Sequence, residues 1–380
     1  MRSLHIVAAG AFLAVAQLGA TALQQTAPAQ PPTYLERDFL SRTRRVTVEG
    51  RRSGEGYFSA DGKRMIFQSE REPDNPWYQI YTLDMTSGDI KKVSPGIGKT
   101  TCAYFRPNTD ELLFSSTHHD PKSKQYQDEE IAFRASGKTR RYSWDYDPEM
   151  DIYSLNEKTG AMKRLTTAKG YDAESAYSPD GQWIIFTSMR GAYSRTLNAT
   201  EKAALEKDPS LFADIYIMKA DGTGQKQLTT EWGYDGGPFF TADGQRIVWR
   251  HFDETGLYAD IWTMTLDGKD MRQVTSFGAM SWSPFQHPSG EYFIFSSNKL
   301  GFENFELFMV DSAGKKEPVR VTYTDGFDSL PVFTPDGKQL SWTSTRSGGE
   351  EGQIFLAQWN HEKAMEALKN APPRVTNLRK

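Results

Sequence analysis

One stretch, Tyr177 to Ser188, constrains the fold of this chain more than any other feature. Its sequence is Tyr-Ser-Pro-Asp-Gly-Gln-Trp-Ile-Ile-Phe-Thr-Ser. Pro179 and the pair Asp180-Gly181 favour a tight turn, because proline fixes φ and glycine tolerates a positive φ. The β-branched and aromatic run after the turn is typical of a buried strand. Variants of this hairpin recur, and their first positions are Phe58, Phe105, Tyr177, Phe240, Gln286 and Phe333.

The spacing of these six hairpins predicts the architecture. A step here is the number of residues from the start of one hairpin to the start of the next. The steps that start at Phe58, Phe240 and Gln286 are nearly equal, and each is between forty and fifty residues long. The two steps that start at Phe105 and Tyr177 are longer, and we interpret each as the same unit with an insertion. A period in the forties with four short strands per unit is typical of a propeller blade. We therefore predict an all-β chain, a six-bladed β-propeller of four-stranded blades, rather than a sandwich or a solenoid.

The outermost strands indicate how the ring closes. Thr166 ends the polar strand of blade two a short distance before Tyr177, and the next three blades end with a threonine at the identical distance from the hairpin that follows. Thr47 lies at this same distance before Phe58, although no blade precedes it. We therefore predict that an N-terminal outer strand over residues 43–47 completes blade six, which removes an exposed sheet edge. Arg374-Val375-Thr376 has a similar sequence and is the rival for this place.

The ends of the chain and its composition predict an exported protein. Residues 1–22 have a basic start, an apolar core and a small-residue site at Ala20-Thr21-Ala22, as in a secretory signal peptide. We expect a Pro-rich linker over 23–33, the propeller over 34–360, and a C-terminal helix and tail over 361–380. After cleavage we expect no transmembrane segment, and a periplasmic or secreted location. The net charge of −4 gives no support to nucleic-acid binding. Cys102, the only cysteine, cannot form an intramolecular disulfide, and we interpret it as buried filler.

Both long steps place their extra residues after the second strand of a blade, so we expect two helical insertions on one face of the propeller. The first covers about 117–150, with a helix near 128–135, and the second about 190–212, with a helix over 200–207. The first insertion also carries residue types that are enriched at interface hot spots. These candidate binding residues are Arg140, Arg141, Tyr142 and Trp144.

An acid recurs at one position on the same face. Asp172, Asp235 and Asp328 follow an aromatic residue in blades three, four and six, and the aromatic is Tyr171 or Tyr234 in the first two. One interpretation is that each aspartate caps a turn or bonds a neighbouring blade. The other is a ring at the channel mouth that binds a basic peptide or a cation such as calcium. We predict no other cofactor.

Histidines give only a weak metal hypothesis. His118, His119 and His251 all follow second strands, but no HExxH-type spacing is present. The sequence also lacks a G-x-S-x-G nucleophile motif, a phosphate-binding glycine loop and a Rossmann fingerprint. These patterns therefore identify no catalytic residue.

The repeated Tyr-Ser-Pro-Asp-Gly, Ile-Phe-Thr-Ser, Ile-Tyr and Gln-Leu-Thr segments resemble the repeats of TolB-type six-bladed propellers. The resemblance covers roughly 43–358, and blades two and five depart from it at the turn, with Arg106-Pro107-Asn108 and His287-Pro288-Ser289. It implies a periplasmic binding protein whose channel mouth receives a lipoprotein partner. Only the short segment 23–42 separates the signal peptide from the first strand, so we expect the α/β domain of TolB itself to be missing. What the resemblance implies is a binding platform.

Two functions follow as hypotheses. We favour a non-catalytic platform, monomeric on its own, that binds an envelope protein or peptide on the insertion-bearing face. The alternative is a carbohydrate-active propeller enzyme, a lyase or glycosidase, with its site at the channel mouth. A histidine cluster or paired carboxylates at that mouth would favour the enzyme. The sequence does not identify the ligand, because a fold alone does not specify one.

Overall fold

Six four-stranded antiparallel sheets form the molecule, as the spacing predicts. The computed structural model describes residues 33–138, 145–348 and 351–375, so the proposed signal peptide and most of the linker lie outside the described residues. Blades one to three contain β2 Arg52–Phe58, β3 Arg64–Glu70, β4 Gln79–Asp84 and β5 Ile90–Lys92; β6 Thr100–Phe105, β7 Glu111–Ser116, β8 Asp151–Asn156 and β9 Met162–Arg164; and β10 Asp172–Tyr177, β11 Trp183–Ser188, β12 Asp214–Lys219 and β13 Lys226–Gln227.

The other three blades have the same order, except that the first strand of the chain belongs to blade six. They contain β14 Tyr234–Phe240, β15 Arg246–Phe252, β16 Ala259–Thr265 and β17 Arg272–Gln273; β18 Ser281–Gln286, β19 Tyr292–Ser297, β20 Glu306–Asp311 and β21 Val319–Arg320; and β22 Asp328–Phe333, β23 Gln339–Ser344, β24 Gln353–Trp359 and β1 Leu40–Arg45. The innermost strands contact one another in sequence, and β2 also contacts β22, so the ring is closed.

The hydrophobic core lies between blades. The interface of blades three and four shows the pattern: Ile185 and Ile217 on one side pack against Ile247 and Trp249 on the other. All four side chains are nearly or fully buried. Each middle strand is apolar on both faces because each blade is covered on both sides by its neighbours, which explains the unbroken apolar runs in the sequence.

The predicted N-terminal closure is confirmed, with the strand beginning at Leu40 rather than at residue 43. β1 pairs antiparallel with β24, from Leu40 opposite Trp359 to Arg45 opposite Phe355. Thr47 then accepts a hydrogen bond from the Ile354 N–H at 2.9 Å. The described part of the rival segment bonds blade five instead, because the Arg374 N–H donates to the Lys315 carbonyl at 2.8 Å.

A side-chain bond repeated in all six blades explains why the polar strands end in threonine or serine. In blade two the Thr166 hydroxyl accepts from the Ile152 N–H at 2.9 Å and donates to Asp151 at 2.8 Å. In blade six Thr47 makes the same pair of bonds, with Ile354 and with Gln353. The N-terminal strand thus supplies the bond that the adjoining polar strand supplies in every other blade.

The α-helices lie outside the sheets, and one of them, the first along the chain, is not predicted from the sequence. Their bounds are α1 Glu36–Phe39, α2 Ser123–Ala135, α3 Ala199–Lys207 and α4 His361–Asn370. α2 begins earlier than the predicted start near residue 128, because the Ser123 hydroxyl anchors its first turn on the Thr117 carbonyl at 2.5 Å. Asn198 caps α3 as predicted, accepting from the Glu201 N–H at 2.9 Å. α2 and α3 lie in the two insertions, which extend from one face.

Candidate functional site

Each innermost strand has a β-bulge whose first residue has a left-handed backbone. The pairing register shifts at this point in every blade, for example between Gly54 and Tyr57 and between Ala173 and Ala176. The φ angles of the bulge residues lie between 47° and 55°. These six residues, which we call the bulge ring, are Glu55, Cys102, Glu174, Gly237, Ser283 and Leu330. All six line one central cavity.

The bulge ring carries backbone strain at the position that faces the cavity. Only one of its six members is glycine, and a left-handed conformation costs other residues roughly 1–2 kcal/mol each. A bulge redirects a side chain that regular pairing would place on a blade face. Strain of this kind is concentrated at functional sites in folded proteins, which makes the ring the first place to look for a binding function.

The cavity is a funnel of about 890 Å³ that opens on the insertion face. Two positions beyond the bulge ring in each strand, aromatic side chains from several blades pack against one another and fill the channel. Tyr57 contacts Tyr104 at 5.3 Å and Phe239 at 5.5 Å between ring centroids, and Phe239 contacts Phe285 at 5.4 Å. Tyr57 and Phe239 line the cavity as its floor, whereas none of the described residues of the hairpin turns reaches it.

Both insertions contribute walls to the cavity. Tyr146, from the end of the first insertion, lines it and packs edge-on against Tyr171 at 5.3 Å. Asp208 and Leu211, from the second insertion, line it on the same side. The two insertions therefore form part of the cavity wall.

A buried ionic network occupies one side of the bulge ring. Glu174 accepts hydrogen bonds from the Gly237 N–H at 2.6 Å, from the Arg250 guanidinium at 3.0 Å and from the Tyr234 hydroxyl. Arg250 is only 6% exposed and lies over the rings of Tyr234 and Trp282. The carboxylate thus pairs with one terminal nitrogen of the guanidinium inside the cavity wall.

The network needs the two glycines of blade four. A Cβ added at Gly237 would lie 1.9 Å from an Arg250 nitrogen, and one at Gly236 would lie 2.5 Å from the Tyr234 hydroxyl. Both distances are far below van der Waals contact. The Gly236-Gly237 pair therefore leaves the space in which Arg250 reaches across to Glu174.

Glu55, at the equivalent position of blade one, has a different environment. Burial, and then the negative charge of Glu174, raises the pKa of Glu55 to about 7 from an ordinary value of 4.5. Its Oε2 atom has no hydrogen-bond partner within the described chain. The two glutamates of the bulge ring thus differ: one is in an ion pair, and the other holds a proton near neutral pH.

Unpaired polar atoms are concentrated at this cavity. Seven buried side-chain atoms of the described residues lack a hydrogen-bond partner, and three of them belong to residues that line the funnel. These three are Glu55 Oε2, Ser175 Oγ and Arg250 Nε. Buried polar groups are normally paired, so an acceptor and a donor without partners in one cavity indicate a place for a ligand.

The three predicted aspartates bond side chains of their own blades, which agrees neither with a ring at the channel mouth nor with a bond to a neighbouring blade. Asp172 is fully buried and is bound by Arg190 at 2.6 Å. Asp235 accepts from the Trp249 indole at 2.9 Å, and Asp328 accepts from the Trp342 indole at 3.1 Å. Each carboxylate is bound inside its own blade and none lines the cavity. They lie on regularly paired positions of the strand, which point into the blade.

The other predicted binding residues divide into three groups. Tyr234 lines the cavity, as described above. Tyr171 is 1% exposed and supports Tyr146 from behind. The remaining four lie outside the described residues, so their role stays a prediction: Arg140, Arg141, Tyr142 and Trp144.

The three histidines proposed for a metal are not brought together. His119 contacts the Tyr153 hydroxyl at 2.8 Å and Arg164 at 2.8 Å in blade two. His251 bonds Asp235 at 2.7 Å in blade four. Among the described residues no group of three or more acidic, histidine or cysteine side chains is placed to hold a metal ion. Their arrangement therefore gives no support to a His-based centre.

Sequence reasoning missed Glu55 and Glu174 although a signal for them exists. Both lie three positions before the aromatic residue that begins the hairpin, and the whole bulge ring has this spacing. The residue type at that position differs in almost every blade, so it does not appear as a repeat. The spacing, rather than the residue type, is the signal that would have located the site.

Comparisons with known proteins agree with the fold. No family model matches the chain. It is 27% identical over 185 residues to YuxL, an uncharacterized peptidase of Bacillus subtilis, and 25% identical over 121 residues to a TolB homolog of Chlorobium luteolum. These matches cover 44% and 26% of this chain, but only 24% and 28% of the relatives, so the chain matches about a quarter of each.

Solved structures give the decisive likeness. A structure assigned to TolB of Agrobacterium tumefaciens superimposes with a TM-score of 0.55 at 18% identity, over 81% of this chain and 90% of that one. TolB of Acinetobacter baumannii gives 0.53 at 17% identity, over 82% and 64%. The chain has the TolB-type six-bladed propeller fold.

The same propeller fold occurs in an enzyme. An oligogalacturonate lyase of Vibrio parahaemolyticus superimposes with a TM-score of 0.51 at 12% identity, over 84% of this chain and 94% of the lyase. The fold therefore does not decide between binding and catalysis. Within the part of the propeller chain that the structure describes, we find no helix with the length and apolar character needed to cross a membrane.

Proposed function

We propose that this propeller is a periplasmic or secreted binding module whose funnel receives a segment of an envelope protein or peptide. The observation that carries the proposal is the set of unpaired buried atoms on Glu55, Ser175 and Arg250 around one open cavity. A ligand that offers both hydrogen-bond donors and acceptors, as a peptide does, would satisfy them. Aromatic walls, including Trp282 and Phe305, supply the apolar contact area that is typical of recognition sites.

The rim of the funnel supports a protein partner rather than a small molecule alone. Large apolar side chains are exposed in the loops of the insertion face around blades four and five. Leu257 is 53% exposed, Leu300 51% and Phe302 63%. On the opposite face Ile90, Met162 and Met271 are less exposed, at 38%, 41% and 42%. Exposed apolar side chains on one face, around a polar cavity, are typical of a protein interaction surface.

The test is capture from envelope extract with three forms of the full chain. Trp282→Ala removes an aromatic wall of the funnel, whereas Gln182→Ala changes an exposed residue in a hairpin turn on the opposite face. We expect wild type and Gln182→Ala to retain the same partner, identified by mass spectrometry, and Trp282→Ala to lose it while its circular dichroism spectrum is unchanged. If folded Trp282→Ala captures the same partner as strongly as wild type, the funnel is not the binding site.

A carbohydrate-active enzyme is the second candidate, because the funnel contains paired carboxylates. Glu174 is ion-paired with Arg250, while the pKa of Glu55 is raised to about 7. A general acid beside a carboxylate is the arrangement that glycosidases require, and a lyase has this fold. A panel of glycans, assayed for new reducing ends and unsaturated products, tests it. Activity that disappears in Glu55→Gln and declines above pH 7 would support the enzyme over the binding module.

A further inference from the structure

The two glutamates of the bulge ring invite comparison because they occupy the same position in different blades. Glu174 is satisfied by a cation of the chain itself: the Arg250 guanidinium bonds it at 3.0 Å, supported by the rings of Tyr234 and Trp282. Glu55 faces the same cavity, and its Oε2 atom has no such partner within the described chain. The bulge ring thus contains, in blades one and three, one carboxylate with an unpaired oxygen and one whose guanidinium is present.

The cations that line the funnel are engaged elsewhere. Among the described lining residues these are Arg52 and Arg250. Arg52 bonds Glu70 at 2.8 Å and lies over the ring of Tyr78 at 4.6 Å. Arg250 is bound to Glu174 and to the Tyr234 hydroxyl. The more distant charge of Arg250 still acts on Glu55 and lowers its pKa slightly against the larger effect of burial.

The numbers of acidic and basic residues that line the funnel predict the charge of the ligand group that would pair with Glu55. Five acids line it, against the two arginines. These acids are Glu55, Glu174, Asp208, Asp253 and Glu351. Glu351 is paired with Arg51 at 2.7 Å, but the carboxylates still outnumber the guanidiniums, so the cavity attracts positive charge. Electrostatic complementarity then selects a basic partner over an acidic one.

We propose that Glu55 receives a cationic side chain of the ligand, arginine or lysine, which does for Glu55 what Arg250 does for Glu174. The inference rests on the proposed binding function and specifies its ligand. A guanidinium suits the place well, because it offers several N–H donors to one carboxylate and stacks on aromatic rings, as Arg250 does here. The bound segment would insert this side chain down the funnel towards the bulge ring.

Binding of a cation at Glu55 is linked to pH. The groups that act on Glu55 are Glu174, Arg250 and the side chain and backbone of Cys102. In the free protein, burial keeps Glu55 protonated below about pH 7, and a cation binds the ionised form. Affinity should therefore increase about tenfold for each pH unit up to 7 and level off above it. A ligand that accepts a hydrogen bond from protonated Glu55 would show the opposite dependence.

The probes are two short peptides with blocked ends, Gly-Tyr-Arg-Gly and the same peptide with citrulline in place of arginine. Citrulline keeps the shape of the side chain and removes its charge. Calorimetric titration uses the full chain, Glu55→Gln and the control Glu254→Gln, which changes an exposed acid on the same face. We expect wild type and Glu254→Gln to bind the arginine peptide at least tenfold more tightly at pH 8 than the citrulline peptide. Glu55→Gln should bind the two equally.

Several results would overturn the inference. Equal affinity of wild type for the two peptides is one, and no binding of the arginine peptide at millimolar concentration is another. Glu55→Gln that still prefers arginine would be a third. Glutamine keeps the shape of the glutamate side chain. The melting curve of Glu55→Gln shows whether the variant is folded. If Glu55→Gln captures the envelope partner as well as wild type does, while Trp282→Ala does not, the proposed function stands and the cation site fails. If both variants retain the partner, both proposals fail.

Discussion

At the scale of single residues, neighbouring carboxylates in this propeller have opposite roles. Asp172 and Glu174 lie close together in one strand, yet the first is locked inside a blade and the second faces the funnel. The bulge between regular pairs changes the direction of the side chain. The acid that recurs in sequence is therefore structural, and the acid that does not recur is the functional candidate.

The structural role of the recurring acid predicts the effect of its removal. Asp328→Ala would leave the Arg346 guanidinium and the Trp342 indole N–H without their buried acceptor. We expect it to lower the free energy of unfolding by about 2 kcal/mol, because the buried indole N–H is left unsatisfied while Arg346 keeps its ion pair with Glu36 at 2.7 Å. Asp325→Ala, an exposed acid in the same loop, should change it by less than about 0.5 kcal/mol. Chemical denaturation measures both, and equal effects would contradict this assignment.

The raised pKa of Glu55 predicts a pH-dependent cost to stability. Its pKa is about 7 in the folded protein and 4.5 in the unfolded chain, so the folded state binds more protons between these values. Stability should therefore fall as the pH rises from about 4.5 to 7, by at most about 3 kcal/mol. Asp172 and Asp214, with pKa values raised to about 6 and about 8, add to the same trend.

Comparison with Glu55→Gln isolates the contribution of Glu55. The difference in unfolding free energy between this variant and wild type should be small at pH 5 and should favour the variant at pH 8. The other carboxylates cancel in this difference, because both proteins contain them. A difference that does not change with pH would mean that Glu55 is solvated and titrates normally.

At the scale of elements, the threonine or serine at the end of each polar strand is the unit that ties a blade together. The same bond occurs in blade two and in blade six, where the N-terminal strand pairs with β24. The bond in blade two therefore serves as the reference for the bond that closes the ring. This bond fixes the end of the outer strand to the start of the third strand. Because the two bonds are equivalent, closure of the ring can be tested by comparing the stability lost when each bond is removed.

Thr47→Val and Thr166→Val should cost similar stability. Each removes a hydroxyl that accepts from a backbone N–H at 2.9 Å and donates to a neighbouring side chain at 2.8 Å. We expect a loss of about 1–2 kcal/mol in either variant, from a buried N–H left unsatisfied. Thermal unfolding of the two variants gives the comparison. A normal melting temperature for Thr47→Val, with a lowered one for Thr166→Val, would contradict closure by the N-terminal strand.

The elements that could be predicted from sequence are those whose signals are local. The turn at Asp180-Gly181, the cap at Asn198 and the helix His361–Asn370 each depend on a few adjacent residues. Closure by Thr47 was predictable because its spacing repeats. The direction of Glu55 was not, because it depends on a bulge whose position comes from pairing between strands rather than from residue type.

At the scale of the whole molecule, the two faces of the propeller have different constructions. One has tight turns and the C-terminal helix, whose His361 stacks on His287 of a hairpin turn, whereas the other has both insertions and the mouth of the funnel. Loops on one face of a rigid scaffold are where such proteins bind their partners. Binding by this propeller is therefore expected to be one-sided.

Export is the prediction that concerns the chain as a whole. Arg2, the apolar stretch to Leu18 and the Ala20-Thr21-Ala22 site predict cleavage after Ala22. Mass spectrometry of protein purified from the cell envelope should find Leu23 at the N-terminus. An envelope-located protein that retains Met1 would reject the cleavage.

The seam between β1 and β24 also determines how this molecule comes apart. A linear stack of repeats frays from its two ends, because each terminal repeat has only one neighbour. Here both ends belong to a single sheet, and Leu40 lies opposite Trp359. Every blade therefore has two neighbours, and detaching either end opens the whole circle. We expect unzipping blade by blade to be suppressed, so that the six repeats unfold as one cooperative unit in spite of their modular origin.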